Sequence, residues 1–447
     1  MERYEAYKDS GVPWVGEIPE EWITYPFQKF FSFSKGLAIT KANLVEKGLP
    51  VISYGQIHSK SNSGVKSHPE LLRRVSEDDE ALSDSAMTVT GDIVFADTSE
   101  DSDGCGNCFY IDRDGIYAGY HTFIAHPLQL GWERYHSYLF QSDEWRSQVR
   151  SRANGVKLFS VTQRILGDNT LLLPTKEEAI IIADYLDERT AEIDSIVSET
   201  ERSIELLREY RKSIISEAVT KGLDPNVPMK DSGVEWIGEI PETWGLPKLG
   251  LLLKGTKDGT HSSYKRVELG RPLLSAKNVR ETEVVITDHE SMISEDDYKE
   301  IISCGYPRNG DVLLTTIGGS IGRSVVYSFD EQHAFQRSVI FLRSDSKVLL
   351  SKYLCYMLRS ELMQRQMFAR SSASAQDGIY AGDIVCYKAV LPSLDGQKQI
   401  IDYLDIKTSE IDALIADKER QVELLKEYRK SLISEAVTGK FKVPGVR

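Results

Sequence analysis

The chain is poor in features that mark several large protein classes. It holds 5 cysteines in 447 residues, at positions 105, 108, 304, 355 and 386, an odd count without repeated spacing. A disulfide framework is not expected, and a reduced, cytoplasmic setting fits this usage. No apolar run approaches the ~18–20 residues of a membrane span. The opening residues Met1 to Trp14 show neither the basic start nor the apolar stretch of a secretory signal. Walker A and strand-bound Gly-x-Gly-x-x-Gly sequences are missing, so no nucleotide site is predicted. The Asn/Asp-Pro-Pro-aromatic tetrapeptide of adenine methyltransferases is missing too. Cys105-Gly-Asn-Cys108 is half a zinc pair with no second half, and His121 and His126 do not complete it. No metal, cofactor or catalytic residue is therefore expected in this chain.

What is present is a soluble-type composition, 41% hydrophobic and 27% charged, in a chain long enough for two or more domains. The net charge of −14 argues at first against nucleic acid, whose phosphates need local positive charge. Its distribution weakens that objection. Residues 245–394 carry 19 basic and 17 acidic side chains, a net of +2, and residues 23–174 carry 15 against 18, a net of −3. Residues 175–222 net −5, and 1–22 and 223–244 net −4 each. The acidity sits largely outside the two blocks.

Internal repetition is the strongest signal. Asp9 to Trp22, DSGVPWVGEIPEEW, returns as Asp231 to Trp244, DSGVEWIGEIPETW, with 11 of 14 positions identical. Asp184 to Thr220 returns as Asp402 to Thr438 with 24 of 37 identical. The chain is a tandem duplication. Neither long repeat contains glycine or proline, and apolar residues recur at mostly three, four and seven. Each reads as a helix of ~55 Å with one apolar stripe. In the first copy the stripe runs through Ile193, Ile196, Val197, Ile204, Leu207, Tyr210, Ile214, Ile215 and Ala218. Such a stripe needs a partner, and an antiparallel pair of the two copies supplies one. Two separate helices, each on its own domain, are the alternative.

The two blocks share order but little sequence. Each has an early strand-like segment, Pro50 to Ile57 and Pro272 to Val279. A Gly-Asp turn before apolar residues follows, at Gly91-Asp92 and Gly310-Asp311, then a helical stretch, Tyr135 to Ser151 and Ser351 to Ala369. Further β-rich segments are expected at 284–286, 311–316, 324–327 and 338–342.

Candidate DNA contacts are polar residues beside turns, whose side chains suit base edges and phosphates. In the first block these are Lys35, Lys41, Tyr54, Gln56, His58, Lys60 and His121, with Arg150 and Lys157, beside Arg146 and Arg152, as phosphate-tracking cations. In the second they are Lys257, Thr260, His261, Lys277, Asn278, Arg280, Arg323, Gln336 and Arg337. The Gly-rich run from Thr315 to Ser324 is either a phosphate cradle or a hairpin turn. Solvation alone is the bland explanation for each of these residues.

The repeated Trp-x-Gly-x-Ile-Pro-x-x-Trp segment resembles the lead-in to each target recognition domain of type I restriction-modification specificity subunits. The repeated Tyr-Leu-Asp…Glu-Tyr-Arg…Ser-Glu-Ala-Val-Thr stretch resembles that family's central and C-terminal conserved helices, and Asp258-Gly-Thr-His261 occurs in some of its recognition domains. The resemblance covers the whole chain in order. It implies an α+β fold with two mixed α/β recognition domains in pseudo-two-fold tandem repeat, separated by two long helices paired as an antiparallel coiled coil. It divides the chain into a lead-in (1–22), recognition domain 1 (23–174), a central helix (175–222), a linker with second lead-in (223–244), recognition domain 2 (245–394) and a C-terminal helix (395–440). It also implies a non-catalytic subunit reading a bipartite, asymmetric double-stranded DNA target, with the helices as spacer. Two modification subunits would bring S-adenosylmethionine, and two restriction subunits would bring ATP and Mg. The rivals are a stand-alone nuclease or methyltransferase, and a coiled-coil scaffold that binds only protein.

Overall fold

The structure, a computed structural model, describes residues 2–153, 155, 158–234, 237–371 and 378–446. The chain divides into two compact units, Met1–Thr200 with Arg420–Arg447, and Glu201–Glu419. We call these unit 1 and unit 2.

In unit 1 the strands are β1 (Phe31–Lys35), β2 (Leu49–Ile52), β3 (Arg73–Val75), β4 (Ile93–Ala96), β5 (Cys108–Tyr110), β6 (Tyr117–Ala118) and β7 (Thr122–Pro127). Helices α1 (Glu133–Leu139) and α2 (Asp143–Arg150) follow. One antiparallel sheet runs β5-β4-β7-β1. In a second, β2 lies between β6, which is parallel to it, and β3. All four residues of β4 are buried. An aromatic cluster joins sheet to helices: Phe95 and Phe140 lie 5.4 Å apart, and Phe140 and Trp145 4.5 Å apart. These rings are fully buried, and their area is the main apolar contribution of this layer.

The stretch expected as one helix from Tyr135 is two, because the Ser142 hydroxyl accepts the Trp145 N–H at 3.2 Å and starts a new helix there. The strand expected from Pro50 to Ile57 ends at Ile52 for a similar reason. Ser53 precedes a helical turn, Tyr54–Ile57, and its own N–H is taken by the Gln56 side-chain carbonyl at 3.3 Å.

Helix α3 (Lys176–Lys221, 46 residues) starts where Thr175 Oγ1 accepts the Glu178 N–H, 3.2 Å. It stops at Gly222, whose φ of +84° continues no right-handed helix.

Unit 2 repeats the plan with β8 (Leu253–Asp258), β9 (Arg271–Leu274), β10 (Val312–Thr315), β11 (Ser324–Val326), β12 (Ala334–Phe335) and β13 (Val339–Ser344). Its antiparallel sheet runs β8-β13-β10-β11, and β9 pairs in parallel with β12. Helices α4 (Ser351–Arg359) and α5 (Glu361–Ser371) break at Ser360, and α6 (Leu394–Val437, 44 residues) closes the fold. The expected strand at 284–286 is a single antiparallel bridge, Val279 to Val284, made by the Val285 N–H on Asn278 O at 2.8 Å and the Arg280 N–H on Glu283 O at 2.9 Å.

The Gly-Asp turns have one job in both units. Asp92 accepts the Val89 N–H at 2.9 Å, and Asp311 the Arg308 N–H at 2.8 Å. Each carboxylate also takes a side chain from the neighbouring strand: His126 Nδ1 at 2.8 Å on Asp92, and the forked Arg343 guanidinium at 2.8 and 2.7 Å on Asp311. His126 Nε2 lies 2.8 Å from Ser34 Oγ, the order of an acyl-transfer triad. Arg343 at the matching place in unit 2 assigns the pair to holding the turn.

Within unit 2, Arg208 donates to Glu419 at 2.7 Å and Arg211 to Asp412 at 3.1 Å. Numbers rise along α3 as they fall along α6, so the two helices pair antiparallel. Ile214, Ile215, Ala218 and Val219 share a buried cluster with Ile400, Leu404 and Ile411. In unit 1, Arg429 forks onto Asp194 at 2.9 and 3.2 Å. The apolar stripe is narrower than its spacing suggests. Ile196 and Tyr210, with Leu414 and Tyr428 in the second copy, are exposed at 44%, 55%, 51% and 49%. They lie on a face that the paired helix leaves uncovered.

A duplicated tyrosine pair docks each block on helix of its own unit. In unit 1 Tyr135 donates to Val437 O at 2.8 Å and Tyr138 to Asp187 at 2.6 Å. In unit 2 Tyr353 donates to Val219 O at 3.3 Å and Tyr356 to Asp405 at 2.7 Å. Burial, reinforced by Asp405, pushes the Tyr356 phenol up to about 12, so it remains a donor.

Candidate nucleic-acid interface

In both units the strand ends gather into one loop cluster, and the same backbone bonds build it. In unit 1, Gly36 N–H donates to Thr122 O (3.1 Å), Leu37 to Ala118 O (2.8 Å), Gly119 to Ile52 O (2.7 Å) and Asp97 to His121 O (3.1 Å). In unit 2, Gly259 donates to Val339 O (2.9 Å), Thr260 to Phe335 O (2.8 Å), Gln336 to Leu274 O (2.8 Å) and Thr316 to Ser338 O (3.0 Å). These bonds equate Gly36 with Gly259, Gly119 with Gln336, Tyr120 with Arg337 and His121 with Ser338. Main-chain bonds carry no side-chain information, so unlike sequences reach one geometry.

Two glycines make the close approach possible. A Cβ at Gly36 would collide with Gly119 O, and one at Gly259 with the matching Gln336 O. Gly259→Ala is expected to lower the stability of unit 2 by about 2–3 kcal/mol, the usual cost of forcing atoms into a packed site. The denaturation midpoint checks this; an unchanged midpoint would show that the loop yields freely.

A turn beside each cluster is held from within. Gln56 accepts the Ser53 N–H, and Asn278 accepts the Ser275 N–H at 2.9 Å. Asn278, 2% exposed, also donates to Val285 O at 2.9 Å and to Glu290 at 2.8 Å. Burial works against ionisation of Glu290, yet Lys277, Thr287 and Asn278 hold its carboxyl at about 2. His58 is committed as well, with Nε2 on Thr98 O at 2.8 Å and Nδ1 on Asn107 at 3.0 Å. His58 and Asn278 therefore hold the frame with all their side-chain polar atoms, and Gln56 holds it with its side-chain carbonyl.

Exposed candidates stand around these turns. Unit 1 presents Lys35, Lys60 and His121, with Tyr54 half-buried. Unit 2 presents Lys257, His261, Arg280 and Arg337, with Thr260 and Gln336 half-buried. Lys277 is exposed but paired with Glu290 at 2.8 Å. The Gly-rich run joins antiparallel β10 and β11, with Gly318 and Gly322 at φ +73° and +86°, and Arg323 donates to Val279 O at 3.1 Å. It is a hairpin connection.

Other candidates lie apart from the cluster. Lys41 is on a separate turn, Lys41–Asn43. Arg150 reaches Asp103 and Asp143, each at 3.9 Å. Arg146 folds back onto Gln141 at 2.6 Å, and Arg152 onto Asn169 at 2.9 Å, so neither is a free phosphate-tracking cation. Lys157 lies outside the described residues. Sequence reading does not point to Asp97, nor to Thr316 apart from the Gly-rich run, although each stands at the end of the apolar run after a Gly-Asp turn. That shared spacing was the available signal. Among the described residues no group of three or more His, Cys, Asp or Glu is placed to hold a metal, and no helix is long and apolar enough to cross a membrane.

Known proteins resemble this chain throughout its length. The family model "Type I restriction modification DNA specificity domain" matches residues 272–424. The MjaVIII specificity subunit of Methanocaldococcus jannaschii is 26% identical over 315 residues, 68% of this chain and 70% of that one. The putative MjaX specificity subunit of the same organism is 24% identical over 450 residues, 96% of each. A solved chain described under complex assembly and conformational transition of the type I R-M system has a TM-score of 0.69 at 16% identity, covering 94% of this chain and 98% of its own. The HsdS subunit from Thermoanaerobacter tengcongensis gives 0.51 at 16% identity over the same shares. At that identity the two structures establish the fold. In its duplicated plan, in the family model matched by its second half and in its curated relatives, this chain is similar to type I restriction enzyme specificity subunits.

Proposed function

We propose that this chain is the DNA-reading subunit of a type I restriction-modification complex, each recognition domain taking one half of a bipartite, asymmetric target. The observation that carries this is the duplicated loop cluster: one backbone frame, two different sets of exposed polar side chains. Two half-sites of different sequence call for that arrangement. Lys35, Lys60 and His121 with Tyr54 form the proposed reading surface of domain 1 (23–174). Lys257, Thr260, His261, Lys277, Arg280, Gln336 and Arg337 form that of domain 2 (245–394). The helices at 175–222 and 395–440 serve as spacer, and the lead-ins at 1–22 and 223–244 fasten each domain to them.

The chain acts in a complex, and we assign catalysis to its partners. Two modification subunits would bind S-adenosylmethionine, and two restriction subunits ATP and Mg, all in the cytoplasm. A repeated apolar set supports two equivalent dockings. Leu206 and Tyr210 are exposed at 56% and 55%, and their repeats Leu424 and Tyr428 at 52% and 49%. Residues four apart share one helix face, so each pair is a ready contact.

The test is binding of the chain, with its modification subunits, to its target duplex across a salt series. Lys257→Ala is expected to flatten the log–log salt slope by about 1 while leaving sequence preference unchanged. Absence of any sequence-specific footprint from the assembled complex would sink the reading.

A further inference from the structure

We propose that His121 is a base-reading side chain of unit 1, accepting a hydrogen bond from the exocyclic amino group of an adenine or cytosine in the major groove. The proposal rests on the DNA-recognition reading above and assigns one residue of that surface a specificity role.

Three observations single His121 out. Its backbone has φ +55°, making it the one non-glycine residue with positive φ among those described. A non-glycine side chain in that region carries strain, and strain of this kind persists chiefly where a ligand contact needs it. The strained residue sits in the loop cluster, with its carbonyl fixed by the Asp97 N–H.

The second observation is the state of the ring nitrogens. Nδ1 lies 3.2 Å from Asp97 Oδ1, and the side chain is 56% exposed. A carboxylate can only accept here, so in the neutral imidazole Nδ1 carries the proton and Nε2 is left as an acceptor. Nε2 has no hydrogen-bond partner among the described residues. The other histidines of this block are spent: His58 and His126 use both nitrogens, His68 meets Ser63 and Glu70, and His136 is fully buried. Among the described histidines of the block, His121 alone combines a fixed tautomer with an open, exposed nitrogen.

The third is its support. The Tyr54 and Tyr120 rings meet His121 edge-on at centroid distances of 5.5 and 6.1 Å, and meet each other at 5.7 Å. Rings packed this way limit the imidazole to few orientations, so little freedom is lost on binding. An in-plane acceptor matches the amino groups that adenine N6 and cytosine N4 present in the major groove; guanine O6 and thymine O4 present acceptors instead. Unit 2 differs at the same backbone position. Ser338 turns inward to accept the Ala276 N–H at 3.0 Å, leaving Gln336 and Arg337 beside it to carry readout there.

The test starts from the target selected by the wild-type chain with its modification subunits, from random duplexes. His121→Ala and His121→Asn are then compared, asparagine being the safer fold because it tolerates positive φ. Both are expected to relax preference at one base pair of one half-site, with affinity for the native base falling about tenfold and the salt slope unchanged. Removing that base's amino group (purine for adenine, 2-pyrimidinone for cytosine) should weaken the wild type by a similar factor and leave His121→Ala unaffected. Asp97→Asn should blur the distinction between amino and keto bases at that position. A uniform loss over all sequences, a flatter salt slope, or unchanged preference in both variants overturns the assignment. If the wild-type complex selects no sequence at all, the DNA-recognition reading itself has failed.

Discussion

Asp311→Ala is expected to lower the stability of unit 2 by about 3 kcal/mol, near the lower end for breaking a buried ion pair. Asp311 is 2% exposed and receives three hydrogen bonds: two from Arg343 and one from the Arg308 N–H. Its removal strands a guanidinium that keeps only Gly305 O at 2.9 Å and the Tyr306 ring at 4.0 Å. Arg343 retains 24% side-chain exposure, so water recovers part of the loss and the larger values for such pairs do not apply. Asp311→Asn keeps an acceptor for the turn but not the charge, and should fall between wild type and alanine. Denaturant unfolding measures both. A midpoint for alanine within error of wild type would show that the fork contributes nothing net.

Replacing His136 with leucine is expected to raise the stability of unit 1 by about 1–3 kcal/mol at neutral pH, the penalty of a buried polar group left unsatisfied. His136 is fully buried among Phe30, Phe31, Tyr135 and Phe140, and neither ring nitrogen has a hydrogen-bond partner among the described residues. The second copy already carries leucine at the matching position, Leu354, equally buried. Burial pushes the imidazole down to about 3. The folded ring thus stays neutral where the unfolded ring, near 6.5, takes up a proton. Stability is therefore retained above about pH 6.5 and lost as pH falls from there toward 3, by up to ~1.4 kcal/mol per unit. His136→Leu should remove this component. Unfolding curves at pH 7 and pH 5 give the difference, and an identical acid response in both proteins would refute it.

Repetition made the helices legible in sequence down to their C-terminal ends, because from Asp184 and from Asp402 onward glycine and proline are missing until Gly222 and Gly439. The Gly-Asp turns were legible as positions, but the chemistry that fixes them was not. The partners of Asp92 and Asp311, His126 and Arg343, come from a strand more than thirty residues on and differ in kind. The proposed reading surface was half legible. Exposed Lys35, Lys257 and Arg337 were identifiable by type, whereas Gln56, His58 and Asn278 look like reading residues and turn out to hold turns. Only the fold reveals whether a polar side chain has already been claimed by a backbone group. The apolar stripe misled in the other direction, since periodicity cannot separate residues under a partner helix, such as Ile214, from exposed ones such as Tyr210.

The glycine approach at Gly36 and Gly259 has a consequence for how such a protein changes over generations. Each cluster is closed by main-chain bonds and a missing Cβ, so its shape owes little to the residues at its tips. Tyr120 and His121 in one unit, and Arg337 and Ser338 in the other, occupy the same frame with unlike chemistry. Mutational drift at tips whose side chains make no hydrogen bond among the described residues, such as Tyr120 and Arg337, is therefore cheap in folding terms. Under the proposed function, a lineage can acquire a new vocabulary of targets while its grammar, the frame, stays fixed.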